Sequence, residues 1–181
     1  MKQLSDNDLY KMLSREHSIR EAAFAEIYRR HSGRIFSYCR KTVGSTAQAD
    51  DIFQETFLTF LNTAGSERAM TNLPAYLLRI ARHLCFEQKR QGSQSVPLED
   101  IDIPSREINS LEASELSKMI NTALELVSDE QREAFLLQME HDLSYQDIAE
   151  TMEVPVTTVR NWIVRAKSKI RHILSPYLEE T

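Results

Sequence analysis

The sequence predicts an all-α protein, built as two small helical domains joined by a flexible linker. Three observations lead there. Only four glycines and five prolines are spread over 181 residues, so helix breakers are scarce. The apolar residues recur mostly at three- and four-residue steps, the spacing that gathers them on one face of a helix. One stretch, Gly92 to Asn109 (GSQSVPLEDIDIPSREIN), interrupts that periodicity with two prolines and mostly polar or acidic residues, the composition of a linker. The expected division is therefore 1–91, a linker over 92–109, and 110–181.

In the first domain Phe24, Ile27, Tyr28, His31, Ile35 and Tyr38 share one helical face. A second helix offers Ile52, Phe53, Phe57, Phe60 and Leu61, and a third Leu77, Ile80, Ala81 and Leu84, so three faces can close a small core. Start signals agree with these helices. Ser18 with Glu21 and Ser45 with Gln48 each fit a capping box, in which two side chains satisfy free backbone donors. Asn72 stands before Leu73-Pro74, a cap followed by a first-turn proline. After the linker, Leu116, Ile120, Ala123, Leu124 and Val127 form one stripe and Phe135, Leu136 and Met139 another, with Ser128 and Gln131 as a further capping box. Four helices complete the second domain.

The last two of them carry the sharpest functional signal. Tyr145 to Ile163 (YQDIAETMEVPVTTVRNWI) reads as two helices joined by a tight turn at Glu153, Val154 and Pro155. Ile148, Ala149 and Met152 form the buried edge of the first, Val159 and Ile163 start the core stripe of the second, and Ala149 is small enough to let them touch. A helix-turn-helix needs this pattern. From Val156 to Leu174 the chain carries Arg160, Arg165, Lys167, Lys169 and Arg171 and no Asp or Glu, an electrostatic footprint for phosphates. Thr157, Thr158, Arg160 and Asn161 fall in the first turns, where a recognition helix approaches base edges. The plainer reading is a solvated basic helix beside an ordinary hairpin; turn and charge together favour DNA.

Composition bounds the rest. With 41% hydrophobic and 27% charged residues the chain is that of a globular protein. It shows no apolar run of membrane length and no signal peptide, which predicts a cytoplasmic protein without membrane insertion. Cys39 and Cys85 are too few for a ligand set and the five histidines lack metal spacing, so no metal or cofactor is expected and the thiols should be buried and free. The net charge of −5 is segregated: Tyr28 to Lys41 holds Arg29, Arg30, Arg34, Arg40 and Lys41 without an acid, while Glu99 to Glu115 is strongly acidic. Local basic surfaces can thus meet phosphate.

Two stretches together resemble one family. Asp50-Asp51-Ile52-Phe53-Gln54-Glu55-Thr56-Phe57 followed by Tyr76 to His83 (YLLRIARH) is similar to sigma region 2, and Asp129 to Leu137 (DEQREAFLL), Leu143 to Glu150 (LSYQDIAE) and Thr158-Val159-Arg160 to sigma region 4. In this order, across a linker, they resemble the extracytoplasmic-function (ECF) sigma factors of the sigma-70 family, bacterial transcription initiation factors. The resemblance covers roughly residues 20 to 175 and implies partners: core RNA polymerase, promoter DNA and an anti-sigma factor.

It also implies residue roles. Asp50, Asp51, Gln54 and Glu55 would dock on polymerase, although a helix start favours such acids by its dipole alone. The polar loop Thr63 to Asn72, with Ser66 and Arg68, would capture an unstacked base of the −10 element, beside Tyr76, Arg79, Arg82 and His83 on the next helix. Tyr76 can equally pack under its helix. Thr157, Thr158, Arg160, Asn161, Arg165 and Lys167 would bind the −35 element. Departures from the family are His83 where Asn is common, Val127-Ser128 for Leu-Pro, Glu153 for Gly, and Trp162 for Arg. Trp162 is expected to pack against the hairpin rather than lie on DNA. Two other classes stay open here: a helix-turn-helix regulator acting apart from polymerase, and a helical enzyme, against which stands the lack of any catalytic motif.

Overall fold

The computed structural model describes residues 4–64, 72–91, 119–120 and 122–178. Every element among them is helical, and the chain divides into two compact units, Met1–Leu98 and Glu99–Thr181. The expected linker, 92–109, lies outside the described residues.

Four helices form the first unit: α1 (Asp6–Met12), α2 (His17–Val43), α3 (Thr46–Thr63) and α4 (Leu73–Gln91). Sequence periodicity missed α1, which is only seven residues long and buries just Leu9 and Tyr10. A capping box sets its start. Ser5 Oγ accepts the Asp8 N–H at 3.2 Å while the Asp8 carboxylate accepts the Ser5 N–H at 3.3 Å. The box expected at Ser18 does not form, because α2 begins earlier, with Glu16 as its N-cap and no side-chain cap bond. Gly44 closes α2 in the left-handed conformation at φ 72°, donating to Arg40 O at 3.0 Å, and Ser45 follows at once as the N-cap of α3. The Ser45 hydroxyl makes no cap bond, so that expected box is also unmade. Asn72 does cap α4, its Oδ1 accepting the Ala75 N–H at 3.2 Å.

The core of this unit lies where α2, α3 and α4 meet, with α1 laid against α2. Ile27, Ile35 and Cys39 of α2, Ile52 and Phe60 of α3, and Leu73, Leu77, Leu78, Ala81 and Cys85 of α4 are buried, joined by Leu9 and Leu13. Cys39 and Cys85 are buried thiols not joined in a disulfide, as expected. The buried face of α4 is turned from the predicted one: Leu78 and Cys85 are fully enclosed, whereas Ile80 and Leu84 are only half-buried. Tyr28, expected inside, is 40% exposed and sits at the rim of an aromatic run, 4.9 Å from Phe57 and 5.8 Å from Phe53. Phe36 and Phe24 extend that run edge-on, at 5.5 Å from Phe53 and 6.1 Å from Phe57.

In the second unit a short helical stretch through 122–125 precedes α5 (Asp129–His141), α6 (Tyr145–Met152) and α7 (Val156–Leu178). Ala123, Leu124 and Val127 pack with Ile170 and Leu174 of α7, and Phe135 and Leu136 close on them. Met139, placed in the core stripe of α5 by its spacing, is instead 58% exposed; Ala134, Leu137 and His141 are the buried residues of that helix. Ser128 caps α5 by accepting from Gln131 N, and Arg132 Nε donates to Leu124 O at 2.8 Å, satisfying a carbonyl at the end of the preceding helical stretch.

Candidate nucleic-acid interface

α6 and α7 make the predicted helix-turn-helix. Ser144 and Asp147 form a full capping box at the start of α6, with bonds of 3.1 and 3.0 Å. Ile148, Ala149 and Met152 are buried with Val159 and Ile163, so the small residue lies at the crossing, as the spacing required. The turn is taken by Glu153 in the left-handed conformation, φ 58° and ψ 43°, and Val154 N donates to Ala149 O at 3.1 Å. A side chain therefore occupies a backbone state that favours glycine, at a modest cost. Pro155 O then accepts from Thr158 N at 2.9 Å and opens α7.

The side of α7 away from this core is cationic. Arg160, Arg165, Lys167, Lys169 and Arg171 are all exposed, together with Thr157 and Asn161, while Thr158 is half-buried. The first turn contains no acid, so the positive end of the helix dipole adds to the same field. Trp162 is half-buried, consistent with packing beside the hairpin. Val164, 57% exposed among Thr157, Arg160, Asn161 and Lys167, was passed over in the sequence. Its signal was there: Val159, Ile163, Ala166 and Ile170 already fill the buried stripe, and Val164 falls off it.

In the first unit, Asp50, Asp51, Gln54 and Glu55 are all exposed on α3, held rigid by Ile52, Phe57 and Phe60 on the opposite side. On α4 the Tyr76 hydroxyl donates to Thr63 Oγ1 at 2.9 Å, tying the end of α3 to the first turn of α4. The Tyr76 ring meets Phe60 at 6.3 Å and carries the Arg79 guanidinium at 5.2 Å. Tyr76 thus packs under its helix. Arg82 lies over Phe86 at 4.6 Å, and the exposed His83 pairs with Glu87 at 3.5 Å. Ser66 and Arg68 lie outside the described residues.

Comparison with known proteins now decides the family. Residues 27–94 match the model of sigma-70 region 2 and residues 117–170 that of sigma-70 region 4. The ECF RNA polymerase sigma factor EcfG of Rhodopseudomonas palustris is 30% identical over 135 residues, 72% of this chain and 74% of that protein. The chain belongs to the extracytoplasmic-function sigma factors. The RNA polymerase sigma-H factor of Pseudomonas aeruginosa is 28% identical over 172 residues, covering 87% of this sigma factor and 89% of that one. Two solved structures share the fold: the sigma factor RpoE of Bartonella quintana, in complex with the anti-sigma factor NepR, and CnrH, in complex with the cytosolic domain of CnrY. Each is 20% identical; their TM-scores are 0.65 and 0.67, over 84% and 94% of this chain and 96% and 97% of theirs.

As a sigma factor, the protein acts in promoter-specific transcription initiation, and a regulator working apart from polymerase is not favoured, since both regions occur in one chain in order. The region 2 match begins within α2, leaving α1 outside it. One expectation needs correction: Arg29 and Arg30 are not an open basic surface. Both bind the buried Glu26, at 2.7 and 2.9 Å, and Arg30 reaches Asp6 of α1 at 2.9 Å. The sequence window 28–41 contained no acid, but Glu26 lies one turn upstream and Asp6 comes from another helix. Hydrogen bonds from Arg29 and then Arg30 lower the Glu26 pKa to about 2. His31 Nε2 donates to the Asp6 carboxylate at 2.8 Å; burial lowers the His31 pKa, and the Asp6 charge opposes that shift. Among the described residues no group of His, Cys, Asp and Glu is placed to hold a metal ion, and no helix is long and apolar enough to cross a membrane.

Proposed function

We propose that this sigma factor divides its work between the two units. The first docks on core RNA polymerase through Asp50, Asp51, Gln54 and Glu55, whose exposed carboxylates suit a basic partner surface. Its loop, through Ser66 and Arg68, then captures a base of the −10 element, and the α4 residues Tyr76, Arg79, Arg82 and His83 face the upstream edge of that element. Binding energy offsets unstacking, so strands open without nucleotide hydrolysis. The second unit reads the duplex −35 element through Thr157, Thr158, Arg160, Asn161, Arg165 and Lys167.

One observation supports this reading above the others: an exposed α7 face with five cations and no acid, mounted on a helix-turn-helix. With Tyr76 packed on Phe60, its part is to position Arg79 rather than to stack on a base. The acidic linker 92–109 lies between the two modules and mimics nucleic acid in a basic channel of polymerase. The protein works in the cytoplasm, is not an enzyme and needs no cofactor; polymerase makes the phosphodiester bonds. An anti-sigma factor is the expected antagonist, a reading supported by the fold it shares with the NepR-bound RpoE.

Reconstituted transcription with bacterial core enzyme over a promoter library, with and without the protein, tests the whole. Selective initiation at a promoter subset is expected, and initiation indifferent to the protein would refute it. Asp51→Lys with Glu55→Lys should cut core binding and leave duplex −35 binding by the second unit intact; unchanged assembly removes the docking assignment.

A further inference from the structure

We propose that Phe86 is a further DNA-contacting residue, an apolar contact that fixes α4 on the promoter among its cations. The proposal rests on α4 facing the promoter, as proposed above. Arg79, His83, Phe86 and Arg90 follow one another at steps of four, three and four residues, which puts them in a single file along the helix. All four are exposed, Phe86 with 45% of its surface open. The core residues of α4, Leu77, Leu78, Ala81 and Cys85, occupy the other side, so the ring serves no core.

Charge says what the file fits. Arg79, Arg82, Lys89 and Arg90 outnumber the one acid of α4, Glu87, which lies 3.5 Å from His83. Arg82 lies 4.6 Å from the Phe86 centroid, so the ring holds a guanidinium at the surface while keeping nearly half of itself open. A partner that satisfies both groups carries closely spaced anions beside flat or apolar surface. Nucleic acid has that alternation, with phosphate for the cations and a base or deoxyribose for the ring. An isolated exposed aromatic carries no such meaning; this one stands in a cationic file on a helix whose first turn is fastened to the end of α3 by the Tyr76–Thr63 bond. From Tyr76 to Phe86 the helix rises about 15 Å, which spans about four base steps. The contact therefore falls on the promoter within about that distance of the base-capturing loop.

The test uses holoenzyme reconstituted with wild-type protein, Phe86→Ala or Phe86→Gln, and a fork-junction DNA probe copied from a promoter recovered in the library. Abasic sites are placed one at a time upstream of the captured base. Both variants should bind the intact probe on the order of tenfold more weakly. One abasic position should penalise wild-type holoenzyme and leave the variants indifferent. Equal probe binding by wild type and both variants, with unchanged melting temperatures, overturns the proposal; so does an abasic penalty that persists undiminished in the variants. Failure of wild-type holoenzyme to bind any recovered promoter would instead overturn the sigma reading of α4, and this proposal with it.

Discussion

The arginines of α2 and those of α7 have opposite fates. Arg29 and Arg30 both turn to Glu26 of their own helix, and Arg30 also reaches Asp6 and helps hold α1 on α2, whereas Arg160, Arg165 and Arg171 all face outward from a helix without an acid. The cores differ in the same way. In the first unit Tyr10, Phe60 and Tyr76 form one run of aromatic contacts and Phe24, Tyr28, Phe36, Phe53 and Phe57 another, while the second relies on aliphatic packing around Leu124, Ile170 and Leu174. In the first unit large rings and internal ion pairs join the helices. In the second the cations of α7 stay at the surface. A run of arginines in sequence is therefore no guide to a basic surface until the acids one turn away, or on a neighbouring helix, have been counted.

The contrast can be broken most severely at the cores. Phe60→Ala removes the ring shared by Tyr10 and Tyr76 and should cost about 3–5 kcal/mol in the first unit, read by denaturant unfolding, against about 2–5 kcal/mol for Ile163→Ala in the second. Comparable small losses at both would show that neither ring nor stripe organises its unit. Next in size, Arg160→Ala should weaken −35 duplex binding by about 1–3 kcal/mol and relax selectivity at one position; a uniform loss over all sequences would make it a phosphate contact. Ser144→Ala should lower stability by about 1 kcal/mol through loss of the α6 cap, seen as a shifted unfolding midpoint.

Smaller still, Glu153→Gly should stabilise the second unit by under about 1 kcal/mol, because glycine accepts φ 58° without strain. A destabilised variant would mean the Glu153 side chain does more than occupy the turn. At neutral pH the smallest effect is the acid response of the first unit. His31 faces Asp6, Arg30 and Arg34, and its pKa is lowered from 6.5, so the unfolded chain takes up the proton first. Stability should decline as pH falls below 6.5. A second decline should follow below 4.5, where unfolded glutamate protonates while folded Glu26 stays charged down to about 2. Melting temperatures across pH, with His31→Gln flattening the upper step, check both; a flat profile contradicts the burial account.

Much of this was legible in residue order, and the failures have physical causes. The helix-turn-helix could be read because Ala149, Val159 and Ile163 lie at fixed spacing and the turn is short. Asn72 could be read as a cap because Pro74 marks the first turn. Serine-based boxes were less secure: Ser18 and Ser45 have the right neighbours, yet one lies inside its helix and the other makes no side-chain cap bond. Met139 and Tyr28 fell on apolar stripes, but a stripe gives a face and not its width, and both lie at the rim. The Asp6 bonds to Arg30 and His31 join residues about two dozen apart on different helices, a separation no local pattern encodes.

That separation also orders events during synthesis. The α1 segment leaves the ribosome before its seat is made: Arg30 and His31 emerge within seconds, and Phe60, 6.2 Å from Tyr10 in the finished fold, follows roughly fifty residues after Tyr10. At about 5–20 residues per second, that leaves Leu9 and Tyr10 uncovered for several seconds in every newborn chain.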